Sequence, residues 1–301
     1  MKIINHLESC RGIKSPCIIT IGNFDGVHLG HRQLLAAMSS WRRENPGISI
    51  SAVTFRRHTK SENRGRYLLL PFREKMLKLA HEGIDYLFNI DFNEAVKNMP
   101  WDAFIGFLRS RINIKCFAFS SKLHFGHERT GNAENLGQYC TAAGIDTLHA
   151  PIASLNGPVS STIIRGAVTQ ADFNTAGSLL GYRYFISGRV CRGQAFGRKL
   201  GFPTINIIPP DDLLLPPDGA YIISALINRR SFPGAAFVGT KKEKKIIEAH
   251  LLNFSNLVYN QYVRIEFYQF LRTLIKTQNN DELKKLISND VEKARDYFNN
   301  K

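Results

Sequence analysis

The chain has 301 residues, 44% of them hydrophobic and 22% charged, with a formal net charge of +15. That length is long for one core and favours two domains, and no run approaches the roughly 20 apolar residues needed to cross a bilayer. The opening MKIINHLESCRG lacks the apolar region of a secretory signal, so a cytoplasmic protein without membrane association is expected. The positive charge suits polyanions, but the basic residues are spread along the chain apart from one dense run, TKKEKK at Thr240 to Lys245, and read mostly as solvated surface.

In chain order, CIITIG (Cys17 to Gly22), ISAVTF (Ile50 to Phe55), YLFNI (Tyr86 to Ile90), KCFAFS (Lys115 to Ser120) and IDTLHA (Ile145 to Ala150) read as short buried strands. Between them, His31 to Arg43, Pro71 to Glu82, Trp101 to Ile112 and Ala133 to Ala143 carry apolar residues at helical spacing. Such alternation predicts right-handed crossovers and an α/β domain, a parallel sheet with helices on both faces. After Leu180 the rhythm changes to strand-like runs: Tyr184 to Gly193, Thr204 to Pro209, Ala220 to Ile227, Ala235 to Gly239, Ile247 to Phe254 and Tyr262 to Leu271. Glycine, proline and asparagine turns separate them, as in an antiparallel β-barrel, and Asp281 to Tyr297 reads as a closing helix. The boundary is expected near Gly181 to Arg183, giving domains 1–182 and 183–301. Five cysteines, Cys10, Cys17, Cys116, Cys140 and Cys191, show no C-x-x-C pairing, so reduced thiols are expected.

The stretch TIGNFDGVHLGHRQLL, Thr20 to Leu35, holds three glycines, an aspartate and two histidines where a strand should turn into a helix. A parallel strand ending at Gly22 delivers Asn23, Phe24, Asp25, Gly26 and His28 to the carboxyl edge of the sheet, where open α/β folds bind ligands. A helix N-terminus there presents free N–H groups and the positive end of the dipole, a site suited to phosphate. Gly22, Gly26 and Gly30 permit a sharp turn, and His28 and His31 can aim donors at the same phosphate oxygens. A metal pair and a plain helix start are the competing readings. A metal asks for further ligands at recognisable spacing, and none is evident.

The full string G-N-F-D-G-V-H-L-G-H resembles the HxGH nucleotidyltransferase superfamily and, within it, the bacterial bifunctional riboflavin kinase/FMN adenylyltransferases. The resemblance implies a Rossmann-like nucleotidyltransferase domain whose motif holds ATP phosphates for adenylyl transfer, with His28 and His31 catalytic. A second family element, S-S-T-x-x-R, is matched by SSTIIR, Ser160 to Arg165. Ser160, Ser161 and Thr162 at a helix start, with Arg165 one turn later, form a second phosphate clamp. Alone, this would read as an ordinary N-cap with a surface arginine; both motifs in order within one α/β domain favour the clamp.

The second domain carries GQAFGRKLGFPTINI, Gly193 to Ile207, with Gly193, Gly197 and Gly201 four apart and then Pro203, Thr204 and Asn206. Such glycines let a loop wrap a polyanion with backbone donors, and Thr204 and Asn206 offer neutral oxygens to Mg²⁺ and phosphate. A glycine-rich barrel turn is the plainer reading. G-x-x-x-G-x-x-x-G-F-P-T-x-N nevertheless resembles the riboflavin kinase pattern, so the likeness runs along essentially the whole chain. In that family a glutamate within E-x-H-L-L acts as general base on the riboflavin 5′-hydroxyl, matched by Glu248 in IEAHLLNF, with His250 beside it; a buried structural glutamate is the alternative.

The sequence departs from the family in three places. FRRHT, Phe55 to Thr59, stands for F-E-P-H-P, keeping His58 but bringing in Arg56 and Arg57. SSKLHFG, Ser120 to Gly126, stands for G-x-D-F-x-F-G, with Lys122 at the acidic position and Phe125 retained. FVGTKKEKK, from Phe237, shortens the family's N-I-G-x-R-P-T-F loop. The resemblance makes His58, Phe125 and Lys122 candidates for the flavin side of the adenylyltransferase site. It implies ATP and Mg²⁺, with riboflavin, FMN and FAD as substrate and product, and small-molecule partners for a monomer or weak homo-oligomer. Two rival readings stand beside it: a divergent paralogue that lacks one activity or transfers AMP to another acceptor, and a flavin-sensing regulatory or RNA-binding protein. No aromatic-rich RNA-binding motif is present, so nucleic acid is not an expected partner.

Overall fold

A computed structural model of the chain describes residues 1–5, 15–55, 67–151, 154–155, 157–193, 196–241, 243–275, 277 and 279–300. Cys10, Arg56, Arg57, His58 and Thr59 lie outside the described residues. The chain forms two compact units, Met1–Arg64 with Phe72–Ser161, and Gly65–Pro71 with Thr162–Lys301. No described helix is long and apolar enough to cross a membrane. The four described cysteines are free thiols.

In the first unit the elements run β1 (Lys2–Ile4), β2 (Cys17–Ile21), α1 (Leu29–Glu44), β3 (Ser49–Phe55), α2 (Phe72–His81), β4 (Tyr86–Ile90), α3 (Glu94–Lys97), α4 (Trp101–Arg109) and β5 (Ile114–Phe119). A small hairpin, β6 (His124–Phe125) and β7 (Gly131–Asn132), then leads to α5 (Ala133–Ala142) and β8 (Asp146–His149). Six strands form one parallel sheet in the order β1-β4-β3-β2-β5-β8. All five residues of β2 are buried, as a central strand covered on both faces requires, and this is why it reads as an unbroken apolar run. From β2 the chain steps through β3 to β4 on one side and through β5 to β8 on the other. With right-handed crossovers, that order sets α1 and α2 on one face and α4 and α5 on the opposite one. On the latter face Phe104, Ile105 and Leu108 of α4 and Leu136 of α5 share a core with Ile19, Phe117 and Phe119. The winding therefore reverses beside β2, and the carboxyl end of that strand is a topological switch point, the place where open α/β sheets bind ligands. The edge strand β1 escaped the sequence reading because three residues establish no periodicity; it joins the sheet by parallel pairing with β4.

The second unit opens with α6 (Ser161–Thr169) and α7 (Phe173–Leu180), followed by β9 (Phe185–Cys191), the short α8 (Phe196–Lys199), β10 (Ile205–Ile207), β11 (Gly219–Ile227), β12 (Arg230–Lys241), β13 (Lys244–Leu251), β14 (Tyr262–Thr273) and α9 (Asn280–Asn299). The six strands close into an antiparallel barrel ordered β10-β13-β12-β11-β14-β9, which leaves no edge open. Its core is aromatic: the Phe173 ring of α7 stacks 5.3 Å from Phe267 and meets Tyr221 edge-on at 5.8 Å. Strand β12 is more than twice the length of the AAFVG run that suggested it, because Arg230 to Gly234 pair fully with β11 despite their mixed polarity and Thr240 and Lys241 pair with β13. The shortened loop of the sequence is a tight β12–β13 hairpin, Lys241 pairing with Lys244 across a two-residue connection.

The closing helix is α9, capped by Asn279, whose side chain accepts from the Asp281 N–H at 2.9 Å. A buried ion pair fastens it to the barrel: Arg272 of β14 donates to the Asp290 carboxylate at 2.6 and 3.1 Å, and the Asp290 side chain is 7% exposed. Arg272→Met would leave that carboxylate buried without its guanidinium. A loss of about 3–5 kcal/mol is expected, read as a lowered thermal midpoint of the unit by calorimetry.

Candidate active sites

Beyond Ile21 the chain turns through Gly22 to His28, and the turn holds backbone that most residues avoid. Gly26 has φ +82°, and Phe24 and Val27 have φ +49° and +38°. For β-branched Val27 this is strained, and it persists because Phe24 and Val27 are each locked in the core at 1% exposure. His28 is the N-cap of α1, its Nδ1 accepting from the His31 N–H at 3.4 Å. The two imidazoles stack, centroids 3.7 Å apart and planes 15° from parallel, with Phe24 tilted against His31 at 5.1 Å.

Burial, then the charges of His28 and Lys75, hold His31 well below the usual histidine range, so its ring is neutral near pH 7. A neutral imidazole has one donor and one acceptor nitrogen, and the His31 Nδ1 is buried with no hydrogen-bond partner among the described residues.

The second motif meets the first where Ser161 Oγ donates to the Asp25 carbonyl at 2.9 Å. Thr162 is exposed, while Arg165 is 8% exposed and oriented. Its Nε donates to the Tyr67 carbonyl at 2.9 Å and its guanidinium lies 3.6 Å over the Tyr67 ring. Lys122 is exposed, whereas Phe125 is 6% exposed and packs edge-on to Trp101 at 6.3 Å, so its ring belongs to the core.

Lys75 escaped the sequence reading. A lysine in FREKMLKLAH reads as surface, yet Lys75 is 9% exposed and its Nζ donates to the Asn23 carbonyl, Thr54 Oγ1 and the Phe55 carbonyl at 3.2, 3.2 and 3.4 Å. The signal available was its place four residues before Leu79, on the apolar stripe of α2.

In the second unit, β10 carries Asn206 directly opposite Glu248 on β13 and opposite Cys191 on β9. Gly193 packs against Asn206: a Cβ there would lie 2.5 Å from Nδ2 and 2.7 Å from Cγ. Gly197 likewise abuts the Phe202 carbonyl, and Gly201 has φ +90°, so this loop is tight enough to demand its glycines. Asn206 is 5% exposed, and its Oδ1 is a buried acceptor with no hydrogen-bond partner among the described residues. A buried neutral oxygen of that kind, two residues along the chain from Thr204 and opposite Glu248 on the neighbouring strand, suits a hard cation.

Glu248 and Thr204 line a cavity of about 540 Å³. Ala220, Ala235 and Ala236 of the barrel, Phe202, and Leu283 and Ile287 of α9 also line it. Its volume and apolar lining suit a flat ring system with a few polar groups. His250 steadies the Thr204 segment: its Nδ1 lies 2.9 Å from the Pro203 carbonyl, which can only accept, so this nitrogen carries the proton. Lys241, also unforeseen from the sequence, donates to both oxygens of Glu248 at 2.8 and 2.9 Å.

One unit presents a strained turn with two stacked histidines at a sheet switch point, and the other a carboxylate lining an apolar cavity and paired across the strands with Asn206. A family model described as FAD synthetase matches residues 10–163, and one described as riboflavin kinase matches residues 180–298. The bifunctional riboflavin kinase/FMN adenylyltransferase of Buchnera aphidicola subsp. Schizaphis graminum is 30% identical over 316 residues, covering 99% of each chain. That of Pseudomonas fluorescens is 31% identical over 306 residues, covering 98% of this chain and 97% of its own. A solved structure from Streptococcus pneumoniae, described as a macrolide-efflux protein, is similar in fold with a TM-score of 0.86 at 25% identity, covering 98% of this chain and 99% of its own. The chain belongs to the bifunctional riboflavin kinase/FMN adenylyltransferase family.

Proposed function

We infer that this chain phosphorylates riboflavin to FMN in its barrel unit and joins FMN to AMP from ATP in its sheet unit, forming FAD. The observation that carries the reading is the pairing of Glu248 with Asn206 across β13 and β10 at the edge of a flavin-sized cavity, in the same chain as the stacked His28–His31 turn. We assign residues 1–182 to adenylyl transfer and 183–301 to the kinase. Helix α6 goes with the former by its chemistry, since Ser161 at its start binds the Asp25 carbonyl of the first motif.

In the kinase step Glu248 accepts the proton of the riboflavin 5′-hydroxyl as that oxygen attacks the γ-phosphorus of ATP, and ADP leaves. Thr204 and Asn206 would hold Mg²⁺, which when bound screens the phosphate charge. Gly193, Gly197 and Gly201 bring backbone N–H groups to the phosphates. In the second step the FMN phosphate, already anionic, attacks the α-phosphorus of ATP and pyrophosphate departs. No protein nucleophile is required, so His28, His31, Ser160 and Arg165 act by positioning and by stabilising charge.

The test is chromatographic: purified protein with ATP and Mg²⁺ receives riboflavin or FMN, and both FMN and FAD are expected to accumulate. Absence of FAD from FMN would remove the second activity, and absence of FMN from riboflavin the first. Gly193→Ala pushes a methyl into Asn206, a displacement of ~1–3 kcal/mol, and is expected to lower kcat/KM for riboflavin phosphorylation by about tenfold or more while FAD formation from FMN continues.

A further inference from the structure

We propose that Lys75 is a positioning residue for adenylyl transfer, supplying the fixed positive charge behind the Gly22–His28 turn and holding that turn in the arrangement that receives the triphosphate. The proposal rests on the adenylyltransferase reading above.

Three observations carry it. First, Lys75 reaches the turn from α2 and spends its donors on neutral oxygens of two other elements, the Asn23 carbonyl of the turn and the Thr54 hydroxyl and Phe55 carbonyl at the end of β3. Second, a cation is not required merely to tie turn to strand, because Thr54 Oγ1 already donates to the Asn23 carbonyl at 3.2 Å. The buried Asp25 carboxylate favours the ammonium, yet burial outweighs it and holds Lys75 down to about 8, so a charge kept here at that cost points to a further anion that arrives. Third, the histidine beside it is not the source of charge: His31 is held neutral, in part by Lys75 itself. The turn thus divides its labour, with the neutral His31 imidazole on one element and the Lys75 ammonium on another.

Among the described residues the ammonium faces the Phe72 ring of its own helix at 5.7 Å and two titratable groups. Asp25 approaches from the turn and raises its proton affinity, His31 approaches from α1, and the β3 oxygens do not titrate. Burial dominates and pushes Lys75 down to about 8. Its charge is therefore largely present at neutral pH and is lost as pH rises through about 8.

Lys75→Met is the first variant, with riboflavin phosphorylation in the same chain as the control for folding. The expected result is kinase activity within about twofold of wild type, with kcat/KM for ATP in FAD formation at least about tenfold lower and a raised KM for ATP. Wild-type FAD formation should also decline as pH rises through about 8, and the variant should lack that limb. Equal ATP dependence and equal pH profiles in the two proteins would overturn the proposal. Should the variant lose both activities by unfolding, the wild-type profile decides: FAD formation that stays flat up to about pH 9.5 overturns it. If wild type makes no FAD at all, it is the adenylyltransferase reading that falls. Calorimetry with a non-hydrolysable ATP analogue then still tests Lys75, two sites in wild type and one in Lys75→Met supporting the assignment and equal stoichiometry refuting it.

Discussion

Glu248→Gln is expected to slow FMN formation by about 10²- to 10⁴-fold, the range for loss of a general base, while conversion of added FMN to FAD proceeds at the wild-type rate. The substitution preserves size and one oxygen, and strands β10, β12 and β13 hold the position by register, Glu248 facing Asn206 on one side and Phe237 on the other. It removes the group that takes the hydroxyl proton. It also deprives Lys241 of its carboxylate, but that pair is partly solvated, with side chains 42% and 23% exposed, so its stability contribution is about 1 kcal/mol or less. A collapse of the kinase rate with an unchanged thermal midpoint would therefore report chemistry and not unfolding. Initial rates by chromatography, with riboflavin and FMN supplied separately, make the measurement. A variant retaining more than about a tenth of the kinase rate would mean that another group, or water, takes the proton.

What could be read from the sequence follows from what is encoded locally. Strand β2 and the helix after it are legible because CIITI is apolar on both faces and because His28, Gly26 and Gly22 carry turn and cap information within seven residues. The kinase glycines are legible for the same reason: a side chain at Gly193 would strike Asn206, one at Gly197 the Phe202 carbonyl, and Gly201 has φ +90°, so the pattern is an imprint of close packing and turn geometry. The hidden residues are those whose role depends on partners far along the chain. Lys75 meets Asn23 across 52 positions and Thr54 across 21, and nothing near it in sequence signals burial beyond its place above Leu79. Arg272 and Asp290 become a buried pair only once α9 has folded back on the barrel. Phe125 matches a motif by type, and where its ring goes, onto Trp101 and into the core, depends on contacts the sequence does not show. The acceptor-side segment holding His58 lies outside the described residues.

The stacked histidines yield the second large effect. His28→Ala and His31→Ala are each expected to lower FAD formation by about 10²- to 10³-fold, the usual loss when a donor to developing phosphate charge is removed, and to leave riboflavin phosphorylation unchanged. His28 also caps α1, so alanine removes two functions together, and loss of a cap alone costs about 1 kcal/mol of stability. His28→Asn separates them. Asparagine is among the best N-caps and can accept from the His31 N–H in place of Nδ1, yet it lacks the imidazole face that stacks 3.7 Å from His31. If His28 served only the helix, His28→Asn would restore both the thermal midpoint and the rate of FAD formation. If it contacts phosphate, the midpoint returns and the rate does not, and that second outcome is the one expected. For His31 the sign of the pH effect is fixed by its neutrality: no His31 imidazolium is present to be lost, so His31 should contribute no fall in FAD formation as pH rises through the ordinary histidine range near 6.5. A fall there that disappears in His31→Gln would show that the ring is charged when ATP is bound, and would move the phosphate-binding charge from Lys75 back to the histidine pair.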